Sequence, residues 1–182
     1  MRPALPAVIP LLMLAGCAAI PDRRAASPQA VSARADLVNG AGATTGSAEF
    51  ARAPRGGVVI RVRASGLTPG EHGIHIHETG LCEGPAFTSA GSHLKRPGST
   101  APHGLRHPAG GEAGDLPNLI VNADGTAEVE LVSASVVDVL GAPAPSVIGR
   151  AIVIHAKPDD QLTQPIGGSG DRIACGVIRP AR

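Results

Sequence analysis

Apolar and polar residues alternate with a period of two in a series of short runs: Ala35 to Val38, Gly46 to Ala51, Val58 to Ala64, Gly73 to Glu78, Leu119 to Val121, Ala127 to Val132, Ala151 to His155 and Ile173 to Ile178. Runs of this length and period predict strands. In Val59-Ile60-Arg61-Val62-Arg63 the two arginines fall on one side and Ile60 and Val62 on the other, as on an antiparallel strand with one buried face. Asn122-Ala123-Asp124-Gly125 supplies hairpin-turn chemistry between two of the runs. No segment carries a sustained helical stripe. The pattern therefore predicts an all-β fold of about eight antiparallel strands, a Greek-key sandwich or flattened barrel. Two long stretches rich in Gly, Pro and polar residues interrupt it, Thr79 to Pro117 and Ala156 to Asp171. A loop as long as the first is unusual in a compact domain unless function or cross-links order it. It contains Cys82, His93, His103, His107 and Asp115, which suggests a loop tied down by metal and disulfide.

Composition narrows the function. Of 182 residues, 43% are hydrophobic and 17% charged, and the aromatic residues are Phe50 and Phe87, so the core must be aliphatic. Base-stacking nucleic-acid binding is disfavoured by that scarcity of rings, and a net charge of +1 offers no polybasic footprint for phosphates. The first residues, Met1-Arg2-Pro3 and an apolar run from Ala4 to Gly16, have the charged start and short apolar region of an export signal, too short to span a bilayer. The run closes in Leu14-Ala15-Gly16-Cys17, which resembles the lipobox of bacterial lipoproteins and predicts cleavage before a lipidated Cys17. Residues 1–16 are thus expected to be a signal peptide, 17–32 a flexible tether without apolar period, and 33–182 the functional domain. Removing 1–16 takes away only Arg2, leaving 15 basic against 15 acidic residues. Beyond Cys17 an even pair of cysteines remains, Cys82 and Cys175, which suggests a disulfide in an exported chain.

Seven histidines stand at positions 72, 75, 77, 93, 103, 107 and 155. Side chains two apart on a strand share a face, so His75 and His77 project together and can chelate, whereas His72 faces the other way. One His-x-His pair alone also fits two surface histidines. His93 and His155 could complete four imidazoles, a set that favours copper or zinc. His93 also begins a second series with His103, Glu112 and Asp115, a mixture of imidazole and carboxylate that suits tetrahedral zinc. The plainer alternative for that series is solvent histidines and solubilising acids on a loop.

At this point the segments His72-Gly73-Ile74-His75-Ile76-His77-Glu78, Thr88-Ser89-Ala90-Gly91-Ser92-His93, Gly114-Asp115-Leu116-Pro117-Asn118 and Gly170-Asp171-Arg172-Ile173-Ala174-Cys175-Gly176-Val177-Ile178 resemble bacterial copper-zinc superoxide dismutase, over about Ala33 to Ile178. The resemblance implies copper held by His75, His77, His93 and His155, with His93 bridging to zinc and able to supply a proton. It implies that Cys82 pairs with Cys175, that Arg172 draws the superoxide anion to copper, and that Asp159 links the imidazoles of His75 and His103. Two departures stand out. Glu112 occupies a position that is histidine in the family's zinc set; zinc is expected from His93, His103, Glu112 and Asp115, with His107 able to swing in, or else the zinc position is weak or empty. Asp171, beside Arg172, could partly cancel the arginine's attraction for an anion. The expected product is a lipid-anchored enzyme of the bacterial envelope, monomer or homodimer, converting superoxide to dioxygen and hydrogen peroxide. Ala18 after the lipobox cysteine favours the outer membrane. The rival expectation is a non-catalytic copper-binding or structural lipoprotein on the same fold.

Overall fold

Three hairpin-linked strands, β1 (Ala33–Asn39), β2 (Thr44–Arg52) and β3 (Val58–Ala64), begin the chain of the computed structural model, which describes residues 30–133 and 146–182. The expected signal peptide, Cys17 and most of the expected tether lie outside the described residues. The alternation read from β3 holds in space: Ile60 and Val62 are fully buried, while Arg61 and Arg63 pair across to Glu130 and Glu128 at 3.0 and 2.9 Å. Those glutamates belong to β7 (Ala127–Ser133), which lies antiparallel to β3.

The rest of the main sheet comes from β5 (Ile74–His77), β8 (Ala151–His155) and β9 (Arg172–Val177), in the order β5-β8-β9-β1-β2-β3-β7, with a short β10 (Arg179–Pro180) beside β1. All these pairs are antiparallel, and the non-consecutive neighbours β3–β7, β5–β8 and β1–β9 are the crossovers of a Greek-key path. This eight-stranded sheet curls around an interior that is aliphatic but for Phe50 and includes Leu37, Ile60, Ile76, Leu116 and Ile154. Each side chain of this size taken wholly out of water contributes ~1.5–3 kcal/mol.

The predicted run Gly73 to Glu78 holds β5, and a strand that the pattern did not show precedes it. β4 (Gly70–His72) pairs with β6 (Leu119–Val121) in a small second sheet, and the chain turns at Gly73 into β5. The turn is held from distant sequence, because Gly73 donates its N–H to Lys157 O and accepts from His155 N–H, both 2.8 Å. β10 and a 3-10 turn at Thr88–Ala90 are too short to leave a periodic signal.

The long loop is fastened to β5 by backbone. Leu94 N–H donates to Ile76 O at 2.8 Å, Ile76 N–H to Gly114 O at 2.9 Å, and Gly114 N–H to Leu94 O at 2.8 Å. Gly114 approaches so closely that a Cβ there would strike the Ile76 carbonyl. Farther along, Phe87 and Ala90 cover the outer face of β8 and β9, where Ala151, Val153 and Cys175 are buried. Cys82 of the loop is bonded to Cys175 of β9, across 93 positions of sequence.

Candidate metal centre

Every outward position of β5 and β8 is buried, beneath the two long loops. His75 pairs with Val153 and His77 with Ala151, so His155, two residues beyond Val153, emerges on the same outer face. The backbone bridge between His77 and His93 brings a fourth imidazole to that face from the loop. One ring nitrogen of each of His75, His77, His93 and His155 falls in a cluster whose donor atoms all lie within 4.8 Å of one another. Opposite ligands of an ion with ~2.0 Å bonds stand ~4 Å apart, so the cluster has the size of a coordination shell.

The second nitrogen of each ring shows which atom is left to bind. His77 Nδ1 donates to Gly91 O at 3.0 Å, His155 Nδ1 to Gly170 O at 3.1 Å, and His75 Nε2 to the Asp159 carboxylate at 2.8 Å. Their partners accept only, so those nitrogens carry the protons. The opposite nitrogens, His75 Nδ1, His77 Nε2 and His155 Nε2, together with His93 Nε2, are buried without a hydrogen-bond partner. Burial, the largest influence on each, lowers the pKa of His75 to about 4, of His77 to about 2 and of His155 to about 3. Three neutral imidazoles with orphaned lone pairs, turned to one point together with His93 Nε2, form a donor set suited to a metal.

His93 faces two ways. Its Nε2 belongs to the first cluster, while its Nδ1 lies 3.2 Å from both Asp115 Oδ1 and Glu112 Oε2. His103 Nδ1 stands 2.8 Å from the same Asp115 oxygen and 3.8 Å from the same Glu112 oxygen. Ligands at ~2.0–2.1 Å around tetrahedral zinc are ~3.3 Å from each other, so these separations match a zinc shell. A cluster of four donors within 4.8 Å also forms from His75, His93, His103 and Asp115. His75 is the odd member there, because its Nε2 is engaged by Asp159.

This second cluster holds a surplus of negative charge. Glu112, Asp115 and Asp159 are all buried beside two imidazoles. Although burial opposes it, hydrogen bonds from His103 and His93 hold the Glu112 carboxyl down at about 2 and Asp115 well below the usual carboxylate range. The same contacts, again against burial, push His103 up to about 11 and raise His93. Imidazoles that must be cationic to satisfy buried carboxylates mark a site where a divalent cation would displace protons.

Asp159 joins the clusters: Oδ2 accepts from His75 and Oδ1 from His103 Nε2, 3.1 Å. Gly167 leaves the room for it, since a Cβ there would collide with Oδ1. Arg172 donates to Phe87 O and Gly91 O, both 2.7 Å, so Gly91 O is shared by Arg172 and His77. Asp171 is exposed and lines with Arg172 a surface cavity of about 580 Å³. His107 joins neither cluster; its Nδ1 accepts from Ala109 N–H at 3.2 Å. His72 lies on the other face, buried, with its ring nitrogens 2.7 Å from His155 O and 2.8 Å from Thr68 O.

Sequence reasoning missed several contributors. Asn118 exchanges hydrogen bonds with the Asp159 backbone, and Gln164 with the backbone of His103. Lys95 stands 3.1 Å from Glu112 Oε1. Loop residues of ordinary type give no periodic signal by which to find them.

The copper/zinc superoxide dismutase family model matches residues 44–178. A superoxide dismutase [Cu-Zn] from Caulobacter vibrioides is 45% identical over 152 residues, 81% of this chain and 86% of that protein. Among solved structures, a SOD-like protein from Bacillus subtilis superposes with a TM-score of 0.76 at 37% identity, covering 81% of this chain and 98% of that one. Cu/Zn superoxide dismutase from Brucella abortus gives a TM-score of 0.68 at 29% identity, covering 79% and 97%.

Proposed function

Because this chain belongs to the copper/zinc superoxide dismutase family, we propose that its adjoining clusters hold copper and zinc and that it dismutates superoxide to dioxygen and hydrogen peroxide. The observation that carries the reading is the set of four buried, unpartnered imidazole nitrogens turned to one point. Copper is held by His75, His77, His93 and His155, and zinc by His93, His103, Glu112 and Asp115. Copper, when bound, supplies one-electron cycling between two superoxide molecules, and zinc a fixed positive charge beside it.

The chain's own residues do the rest. Gly91 O, Gly170 O and Asp159 fix three rings by holding their protonated nitrogens, which orients the other nitrogens inward. His93 faces both clusters and can hold or release a proton at Nε2. The Arg172 guanidinium, immobilised by two loop carbonyls, is a permanent cation able to hydrogen-bond a small anion. The non-catalytic rival is not favoured: a fold shared with a protein described only as SOD-like does not discriminate, but a complete donor set does. Protein reconstituted with copper and zinc and assayed for superoxide loss tests the reading; full copper occupancy with negligible dismutation would support the rival.

The leader supports a place in the bacterial envelope for the enzyme, with residues 1–16 as export signal, Cys17 as lipid anchor on a tether, and the outer membrane as the membrane that holds it. No helix of the described residues is long and apolar enough to cross a membrane. Every proposed ligand comes from one chain, so monomer and homodimer are equally competent.

Steering of the substrate by charge, an established property of superoxide dismutases, gives the next prediction. Arg172→Ala is expected to lower kcat/KM by about tenfold or more and to flatten its dependence on ionic strength. Asp171→Asn acts oppositely, raising kcat/KM by up to about twofold at low salt with the gain vanishing at high salt. Pulse radiolysis across a salt series measures both, and unchanged kinetics in the arginine variant would remove Arg172 from the site.

A further inference from the structure

The two oxygens of Glu112 do different things. Oε2 faces His93 and His103, while Oε1 lies 3.1 Å from Lys95 Nζ at the surface. The glutamate is 7% exposed and the lysine side chain 49%, so the ammonium caps the carboxylate from the solvent side. Both partners sit on fixed backbone. Leu94, next to Lys95, is bonded in the strip along β5, and Glu112 N–H donates to Asp115 Oδ2 at 2.8 Å.

We propose that Lys95 is a positioning residue for the second metal: by occupying Oε1 it makes Glu112 a one-oxygen ligand and keeps the ion four-coordinate. A carboxylate with both oxygens free can chelate, and a set of two imidazoles and two carboxylates that chelates expands beyond the tetrahedral shell preferred by zinc. Expansion moves the site toward the higher coordination of hard, oxygen-seeking ions. An ammonium on Oε1 opposes this, since chelation would require breaking the ion pair. Two carboxylates already balance a divalent ion, and Lys95 returns one positive charge to the group.

The inference rests on the reading of the second cluster as the zinc site, and the test separates the two. Apo-protein is loaded with one equivalent of copper in its colourless reduced form, then titrated with Co²⁺ as a spectroscopic substitute for zinc. Wild type is expected to show the intense visible bands of four-coordinate cobalt, and Lys95→Gln a severalfold weaker absorption per bound cobalt with faster loss of the ion to a chelator. In the Glu112→His background, where position 112 no longer offers the carboxylate that Lys95 meets, adding Lys95→Gln should change neither readout. Identical spectra and release rates in wild type and Lys95→Gln would overturn the role of Lys95 while leaving the zinc site in place. A wild type that binds no cobalt would overturn both. Lys95 is a half-exposed surface residue, so its substitution leaves the fold intact.

Discussion

His77→Ala is expected to eliminate superoxide dismutation by copper-reconstituted protein, with copper released in mild chelator that wild type withstands. Loss of an orienting partner of a metal-bound histidine typically costs ~10–100-fold in affinity or activity, and loss of the ligand itself must cost more. The fold should survive. His77 Nε2 makes no hydrogen bond, and the Gly91 carbonyl that accepts from His77 Nδ1 still accepts from Arg172 at 2.7 Å. Ile74 and Ile76, which anchor β5 in the core, face the other way. Circular dichroism and zinc content near wild type, with copper and activity absent, are the expected results. Activity retained in this variant would dissociate the reaction from the histidine cluster.

Breaking the Cys82–Cys175 disulfide carries the other large effect. In the chain-entropy account, closing a loop of this length restricts the unfolded chain by ~4–5 kcal/mol, which for a domain of this size corresponds to a fall in Tm of ~10–20 °C. The bond has a second consequence, because Arg172 is three residues before Cys175 and its guanidinium is held by Phe87 O and Gly91 O of the loop that carries Cys82. The paired Cys82→Ser and Cys175→Ser variant, metal-loaded, is therefore expected to melt earlier and also to lose part of the arginine-dependent rate. Calorimetry beside a salt series of kcat/KM measures both, and an unchanged Tm would refute the structural role. The same reasoning suits an exported enzyme, since a reducing cytosol would not preserve the bond.

Period-two patterning made the sheet legible because a half-buried strand must alternate its faces. It also identified the local pair His75 and His77. It did not show β4, a three-residue strand paired with β6, and the turn at Gly73 that follows is held by Lys157 and His155 from distant sequence. Glu112 was visible as a departure from the family pattern, yet its partner Lys95 was not. Their 17-residue separation becomes contact only through the backbone strip that fastens the loop to β5.

By itself, then, the sequence determined the strands, the aliphatic core, the residue types able to hold two metals and the cysteines able to close a loop, because each follows from chemistry local to a few residues. Tertiary structure alone decided which nitrogen of each histidine is free, that His107 stands apart, and which oxygen of Glu112 meets its lysine. Those outcomes depend on hydrogen-bond partners tens of residues away, which only the curled sheet and its fastened loops bring within reach.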